Sequence, residues 1–330
     1  MAGPTVPPHV VIVAAFHQPD HDLARLLISS LLAQTAVQVN IVAVLDGEVT
    51  AADVKLKALL GDPRIATYPS EVVQGVRGAF AAGLARGLAL FPAESTYFAY
   101  ADQDDVWLPG KLARSIRLLR DTGATLAQCD ARVVDEAGRQ VAASLHAFEA
   151  RKNPGNLLEA LLLNSVSGMT AVFTAPAARL ASRLMGDIRC SLLHDHVTAA
   201  AAASLGAIVR LDAALVDYVQ HTDNVLGAKP VRNRPWYMRA YTARHLTAYR
   251  LTSRRIFDER REVACALHAA GQLPEALADM FLAGPRIPSV FHLLRRYAGA
   301  IPRLFVTGQT RRGFLCFRVL DGAWQCRAEI

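Results

Sequence analysis

The sequence lacks the features that mark membrane-spanning and secreted proteins. Although 52% of its 330 residues are apolar, no uninterrupted apolar run approaches the roughly 20 residues that a membrane-spanning helix needs. The first residues also lack the basic segment and the apolar segment of a secretory signal. From these absences we expect a cytoplasmic protein.

Cysteine is scarce and scattered. None of the five cysteines forms a CxxC pair, and none has companion histidines at the spacing of a zinc site. They are Cys129, Cys190, Cys265, Cys316 and Cys326. We therefore expect small buried thiols in a reducing compartment, and neither a disulfide framework nor a zinc site.

Charge is divided unevenly along the chain. Residues 229–330 carry 18 Lys and Arg against 7 Asp and Glu, a net charge of +11, which leaves −4 for residues 1–228. We predict an N-terminal domain over 1–228 and a basic, mainly helical region over 229–330. The basic region suits peripheral contact with an anionic membrane surface or forms an ordinary solvated face. No recognised nucleic-acid module accompanies the charge, so no nucleic-acid partner is expected.

Strand-like and helix-like segments alternate in the first third of the chain. Short β-branched apolar runs are separated by segments with apolar residues at helical spacing. Strands are predicted at 9–15, 37–45, 64–68, 96–101, 125–135 and 168–175, with a short pair around 207–217; helices are predicted at 22–33, 51–60, 76–90, 108–120, 177–185 and 194–205. This pattern predicts an α/β fold with a mostly parallel sheet flanked by helices.

Polar residues follow two of these strands directly. In open parallel sheets, ligands bind outside the carboxyl ends of the strands. Asp46 follows the strand at 37–45 and could accept hydrogen bonds from a base or a ribose. The alternative is that Asp46 and Gly47 simply form a turn that leads into a helix.

Three carboxylates occur within four residues after the strand at 96–101. They are Asp102, Asp104 and Asp105. So much negative charge at a strand end is self-repelling unless a cation such as Mg²⁺ or Mn²⁺ offsets it. An ion there would bind a diphosphate and neutralise charge on the leaving group. The alternative, a helix N-cap, accounts for Asp105 but not for all three.

The segment 101–111, ADQDDVWLPGK, resembles the "sDQDDiW.p.K" motif of the inverting family-two glycosyltransferases, in particular their rhamnosyltransferase-like branch. That resemblance implies a GT-A (Rossmann-like) fold and a nucleoside-diphosphate sugar donor, carrying dTDP or UDP. It also implies that Asp102 lies near the donor ribose and that Asp104 is the metal ligand. A glycan or lipid-linked acceptor in cell-surface polysaccharide synthesis follows from the same resemblance.

Two later segments resemble the same family, in the same order along the chain. Residues 193–196, LHDH, are similar to its "HDWW" stretch, which implies that Asp195 is the catalytic base; an N-cap for the helix at 196–205 is the alternative. Residues 218–227 are similar to "YRQHgnNv.G". His221 in that segment could bind the metal or a phosphate oxygen, or could be an ordinary surface histidine. Residues 164–170 resemble the acceptor-side loop.

The chain departs from the family beside the predicted nucleotide site. Phe16 and His17 stand where the family has a "TYNg"-like turn, and Asp46 lies in LDGE instead of "DDGS". We expect Phe16, His17, Asp46 and Asp102 to lie beside the nucleotide.

Two other functions fit parts of the pattern. The segment after the strand at 96–101 also fits the DxDx[TV] motif of a haloacid-dehalogenase-like phosphatase with Asp102 as nucleophile, although that motif belongs on a first strand. A non-catalytic basic adaptor that binds a membrane or nucleic acid is the second alternative.

Overall fold

The structure is a computed structural model that describes residues 6–70, 72–162, 165–220, 228 and 246–282, with side chains from 255 onward in the last range. Nine strands of this described part form one mixed sheet. The strands are β1 His9–Phe16, β2 Gln38–Asp46, β3 Ile65–Ser70, β4 Tyr97–Asp102, β5 Val106–Trp107, β6 Leu126–Asp135, β7 Gln140–Ala142, β8 Ala171–Thr174 and β9 Ile208–Gln220.

The strand order is β3-β2-β1-β4-β8-β6-β9-β5, with β7 paired to β6. Strands β3, β2, β1 and β4 are parallel neighbours, as the sequence predicts. β8 runs antiparallel to both β4 and β6, whereas β6 and β9 are parallel. The predicted α/β class is confirmed, and its parallel part places the carboxyl ends of β1, β2 and β4 at one edge.

Helices cover both faces of the sheet. They are α1 His21–Leu32, α2 Glu48–Ala52, α3 Val54–Leu59, α4 Gly75–Leu90, α5 Lys111–Thr122, α6 Leu145–Phe148, α7 Leu157–Leu162, α8 Ala175–Asp187, α9 His194–Leu205, α10 Leu246–Ala269 and α11 Glu275–Phe281. Alternate residues of β1 point to opposite faces, so Val11 and Val13 join one core while Val10 and Ile12 join the other. The first core packs against α4, α7, α8 and α9, and the second against α1, α3 and α5.

Four predicted elements differ from the structure, and one of them is the helix predicted at 108–120, which begins at Lys111 as α5. The helix predicted at 51–60 is two short helices because Asp53 interrupts it, its carboxylate capping α3 through the N–H of Leu56 at 2.9 Å. The strand predicted at 168–175 begins as a 3-10 turn. The two short strands predicted around 207–217 are one strand, β9, whose register against β6 shifts on either side of Asp130. In the sequence, an irregularity of that kind looks like a turn between two separate strands.

The described C-terminal helices pack on the same core as the sheet. Phe257 of α10 and Phe281 of α11 are buried and stacked at 5.8 Å between ring centroids. Their neighbours in that core include residues of α7, α8 and α9. Across the described residues, no helix combines the length and apolar character that a membrane span requires. The division at residue 228 stays a prediction, since residues 229–245 and 283–330 lie outside the described part.

Gly83 of α4 allows this helix to lie directly on the sheet. A Cβ atom at Gly83 would lie 2.4 Å from Cγ1 of Val13 and 2.9 Å from Cγ2 of Val44, both buried strand residues. We expect Gly83→Ala to lower the free energy of unfolding by about 1–3 kcal/mol because the added methyl group overpacks this contact. Urea unfolding measures the change.

Gly186 of α8 provides the matched control, because nothing lies within 4 Å of a Cβ atom placed there. Gly186→Ala should stabilise the protein by about 0.4–1 kcal/mol through the lower entropy of the unfolded chain. Equal effects of the two substitutions would contradict the close helix–sheet contact.

Candidate active site

Asp46 ends β2 and joins the sheet to the start of α4. Its side chain is 3% exposed, and its carboxylate accepts the N–H groups of Gln74 at 2.7 Å and Gly75 at 3.1 Å. Each carboxylate oxygen keeps a second lone pair. The turn alternative is also satisfied, because Gly47 has φ +92° and precedes α2. A role for Asp46 toward a nucleotide stays a prediction.

His17 lies where the ends of the parallel strands meet. Its backbone N–H donates to Oε1 of Gln103 at 2.8 Å, and its Nδ1 lies 3.0 Å from the carbonyl oxygen of Asp46. The side chain is exposed. Phe16 differs, because its ring is 1% exposed and belongs to the core under α1. Of Phe16 and His17, which were both predicted beside the nucleotide, only His17 has an exposed side chain at this edge.

Asp102 closes β4 beside Ala15 of β1 and begins the acidic loop, which we define as residues 102–105. Burial, followed by the charges of Asp104 and Asp195, raises the pKa of Asp102 from 3.8 to about 7. Such mutual influence requires the carboxylates to be close together. The fold therefore brings together three predicted site residues that are separated by up to 93 positions in the sequence.

Asp105 is not the helix cap considered from the sequence. Helix α5 begins at Lys111, and its N-cap is Gly110, with no side-chain cap. Asp105 is fully buried instead, and burial, followed by the charges of Asp104 and Asp102, raises its pKa. The two-residue strand β5 and the turn at Gly110 separate Asp105 from the start of α5, so Asp105 is too far away to cap the helix.

A buried lysine lies below the acidic loop. The ammonium nitrogen of Lys111 lies 3.0 Å from the ring centroid of Trp107, and both side chains are almost completely buried. Burial lowers the pKa of Lys111 to about 7, although Cys129 and Asp105 oppose that shift. Trp107 thus packs under the loop, and a cation–π contact fixes it there.

Asp195 lies in the first turn of α9. The bounds of this helix, His194–Leu205, agree with the prediction. The N-cap is Leu193, so Asp195 is not the cap. Its Oδ1 accepts the N–H of His196 at 2.6 Å. Its charge also helps to raise the pKa of Tyr100, after burial of that phenol. Asp195 therefore lies against the ends of β4 and the acidic loop.

His194 packs into the core as a neutral side chain. Its ring stacks on Phe80 at 3.8 Å between centroids and meets Tyr100 edge-on at 4.8 Å. Burial lowers its pKa to about 3, so the ring is neutral. Gly168 makes room for it, because a Cβ atom there would lie 2.5 Å from Nε2 of His194. The ring anchors the start of α9.

Tyr218 lies near the acidic loop and near the Glu149–Arg151 pair, and none of these three residues was predicted as a site residue. Burial, followed by the carboxylates of the acidic loop and then Glu149, raises the pKa of Tyr218. The Arg151 guanidinium lies 2.7 Å from Glu149 and donates to Oγ of Ser167. Tyr218 lies inside a segment that resembles the family, which is the signal that could have found it. No local pattern marks Arg151.

Metal binding at the acidic loop fits the side chains that are present. Within the described ranges, no three His, Cys, Asp or Glu side chains are arranged to enclose an ion by themselves. Mg²⁺ is commonly held by one or two carboxylates together with substrate phosphates and water. After burial, the charges of Asp104 and Asp195 raise the pKa of Asp102, and a bound cation would offset that negative charge. His221, the second predicted ligand, and Asn164 lie outside the described residues.

Replacing Lys111 tests its buried environment through pH. The folded chain loses this proton near pH 7, whereas an unperturbed lysine loses it near 10.5. Between these values the unfolded chain binds more protons, so wild-type stability gains with rising pH. We expect the stability of Lys111→Met relative to wild type to be greatest at pH 7 and to decline toward pH 10. Urea unfolding at several pH values measures this.

Lys55→Met is the control for that measurement, because Lys55 is exposed on α3. Its difference from wild type should not vary with pH. A constant difference for Lys111→Met as well would show that the amine titrates normally.

Solved structures share this fold at low sequence identity. Residues 1–349 of S. aureus TarS give a TM-score of 0.51 at 14% identity, over 98% of this chain and 92% of that one. The same segment in complex with UDP gives 0.50 at 15% identity, over 83% and 70%. This chain covers 42% of a longer S. aureus TarS chain. At such identities the likeness concerns the fold alone.

Sequence comparison identifies the family. No curated protein sequence matches the chain significantly. The family model described as glycosyl transferase family 2 matches residues 10–176, just over half of the chain. That range contains β1, β2, the acidic loop and α5. The chain belongs to glycosyl transferase family 2 and is a glycosyltransferase with the GT-A fold.

Proposed function

We propose that this protein transfers a sugar, with inversion, from a nucleoside-diphosphate sugar to a hydroxyl group of a glycan or lipid-linked acceptor. The observation that carries the proposal is the convergence of Asp102, Asp104 and Asp195 at the carboxyl edge of the parallel strands. Two of these carboxylates come from the loop after β4, and the third comes from α9. This arrangement suits a reaction that needs a diphosphate site and a separate proton acceptor.

The donor end of the site is formed by β1, β2 and β4. His17 and Asp46 lie at the ends of two neighbouring strands, and Asp102 ends the third. We assign the nucleoside to this side, with Asp104 as the ligand of Mg²⁺ or Mn²⁺. S. aureus TarS 1–349, which has the same fold, forms a complex with UDP. That complex supports a uridine diphosphate donor, with a dTDP sugar such as dTDP-rhamnose as the other candidate.

Asp195 is the proposed general base. An inverting transfer needs one group to remove the proton of the acceptor hydroxyl as that hydroxyl attacks the anomeric carbon. Asp195 is partly exposed, and it belongs to α9, whereas the residues assigned to the donor end β1, β2 and β4. A bound divalent ion would stabilise negative charge on the departing diphosphate. The chain's own task is to hold Asp195 on the acceptor side.

The two other functions fit the molecule less well. A phosphatase nucleophile belongs on the first strand of its sheet, whereas Asp102 follows the fourth strand along this chain. An adaptor without catalysis would not need a fully formed acidic loop against Asp195. Membership of glycosyl transferase family 2 also favours sugar transfer over both alternatives.

Acceptor delivery at a membrane surface extends the proposal. Residues 229–330 carry a net charge of +11, and basic segments are attracted to anionic lipid. A peripheral position on the inner face of the cell membrane would bring a lipid-linked acceptor to the enzyme. A solvated basic face is the alternative.

Turnover with a panel of nucleotide sugars tests the function. The protein is incubated with Mn²⁺ and UDP-N-acetylglucosamine, UDP-glucose or dTDP-rhamnose, and release of the nucleoside diphosphate is measured with and without EDTA. We expect one donor to be consumed and EDTA to stop the reaction. Phosphate release from simple monoesters, with no nucleotide-sugar binding, would contradict the proposal.

Asp104→Ala tests the metal assignment. Loss of the carboxylate should weaken Mn²⁺-dependent UDP binding by about 100-fold, or about 2.7 kcal/mol. Isothermal titration measures the dissociation constant for UDP, once in Mn²⁺ and once in EDTA. Binding in EDTA should be the same for the variant and the wild type. If Mn²⁺ still strengthens UDP binding to the variant, Asp104 is not the metal ligand.

Asp195→Asn tests the base assignment. The amide cannot accept the acceptor proton, so transfer should fall by about 10²–10⁴-fold while UDP binding stays unchanged. The comparison needs kcat for the active donor and a titration with UDP. Normal transfer by Asp195→Asn would show that another group removes the proton.

A further inference from the structure

The 188–193 loop, which joins α8 to α9, ends two residues before Asp195. It has no regular secondary structure, so the direction in which it enters α9 depends on contacts with other elements. Those contacts come from two sides, α10 and α4. They determine how firmly the first turn of α9 is held.

Two carboxylates of α10 bind the loop directly. Glu262 accepts the backbone N–H of Arg189, and Oε1 of Glu259 accepts the hydroxyl of Ser191 at 2.5 Å. Glu259 and Glu262 are three residues apart and so lie on one face of the helix. Hydrogen bonds to an ionised carboxylate are stronger than those between neutral groups. This face of α10 therefore holds the loop at two points.

Glu259 is itself fixed in place. Its other oxygen lies 2.8 Å from the guanidinium of Arg260, and the two side chains are only 12% and 7% exposed. After burial, the charge of Arg260 helps to lower the pKa of His196 to about 3. His196 follows Asp195 directly and binds the carbonyl oxygen of Leu161 at 3.0 Å. α10 thus reaches the chain on both sides of Asp195.

The opposite side of the loop rests on α4. The Arg77 guanidinium donates to the carbonyl oxygen of Cys190 and, at 3.3 Å, to that of Leu192. At the same end of α4, the backbone N–H groups of Gln74 and Gly75 donate to the carboxylate of Asp46 on β2. The loop is therefore held between α10 and a helix that is already bound to the donor side of the site.

We propose that Glu259 and Glu262 of α10 are positioning residues that hold the 188–193 loop and, through it, orient Asp195 for proton removal. The inference rests on the proposed function, because it takes Asp195 as the base. Among the described residues, the two glutamates bind the 188–193 loop, and Glu259 also pairs with arginines of α10. Their loss should therefore slow transfer and leave donor binding intact.

Glu262 gives the sharpest test, because its hydrogen bond is to a backbone N–H. One substitution at Glu262 can remove this bond and another can retain it. Glu262→Ala removes the acceptor and leaves the N–H of Arg189 without it. Glu262→Gln keeps an acceptor oxygen and removes the charge. Asp258→Ala removes an exposed carboxylate from the same helix and is the matched control. Ser191→Ala removes the second contact through a small change in an exposed side chain.

We expect Glu262→Ala to lower kcat by roughly ten- to a hundredfold, because small displacements of a catalytic group have effects of that size. The dissociation constant for UDP in Mn²⁺ should stay at the wild-type value. Ser191→Ala should show a smaller loss of the same kind. Glu262→Gln and Asp258→Ala should stay close to the wild-type kcat. Melting temperatures show whether each variant is folded.

A double variant identifies the group through which Glu262 acts. If it acts through Asp195, adding Glu262→Ala to Asp195→Asn should cause no further loss of turnover. A further loss, or weaker UDP binding in Glu262→Ala, would overturn the inference. A Glu262→Ala variant as active as wild type would also overturn it, while the proposed function stands. A wild-type protein that consumes no nucleotide sugar would overturn both.

Discussion

Repulsion among carboxylates at the carboxyl edge of the sheet is the constraint on which the site depends. Burial, together with the nearby charges of Asp104 and Asp195, raises the pKa of Asp102 to about 7. Left alone, such groups would move apart or take up protons. The surrounding scaffold prevents separation, since β4 fixes one member and α9 fixes another. Under the proposed function, a divalent cation at Asp104 would offset this negative charge and bind the donor diphosphate.

The scaffold under this edge is itself built from polar groups that have been removed from water. Lys111 lies over Trp107 beneath the acidic loop, and Asp46 ties β2 to α4. His194 stays neutral within an aromatic cluster. Isolated burial of such groups is unfavourable, so each depends on its neighbours for position. These contacts fix the elements that surround the acidic loop, where the carboxylates lie close together.

The sequence predicts local features well and distant contacts poorly. The alternation of β-branched runs and helical spacing predicts β1, β2, β3 and β4, and the carboxylates after β4 mark the acidic loop without any structure. Asp195 is identified only through resemblance, because one aspartate at a helix start has a common structural role. Arg151, Glu259 and Glu262 carry no local signal. Their partners lie elsewhere in the chain, and only the fold brings them together.

The packing of α10 and α11 has a practical consequence for anyone shortening this protein. Phe257 and Phe281 complete the core that α7, α8 and α9 share. A chain cut at residue 228 would leave that apolar surface open to solvent, where it would favour aggregation. Expression designs should therefore keep the chain at least through Phe281. Such a chain would keep the core that α10 and α11 share with α7, α8 and α9.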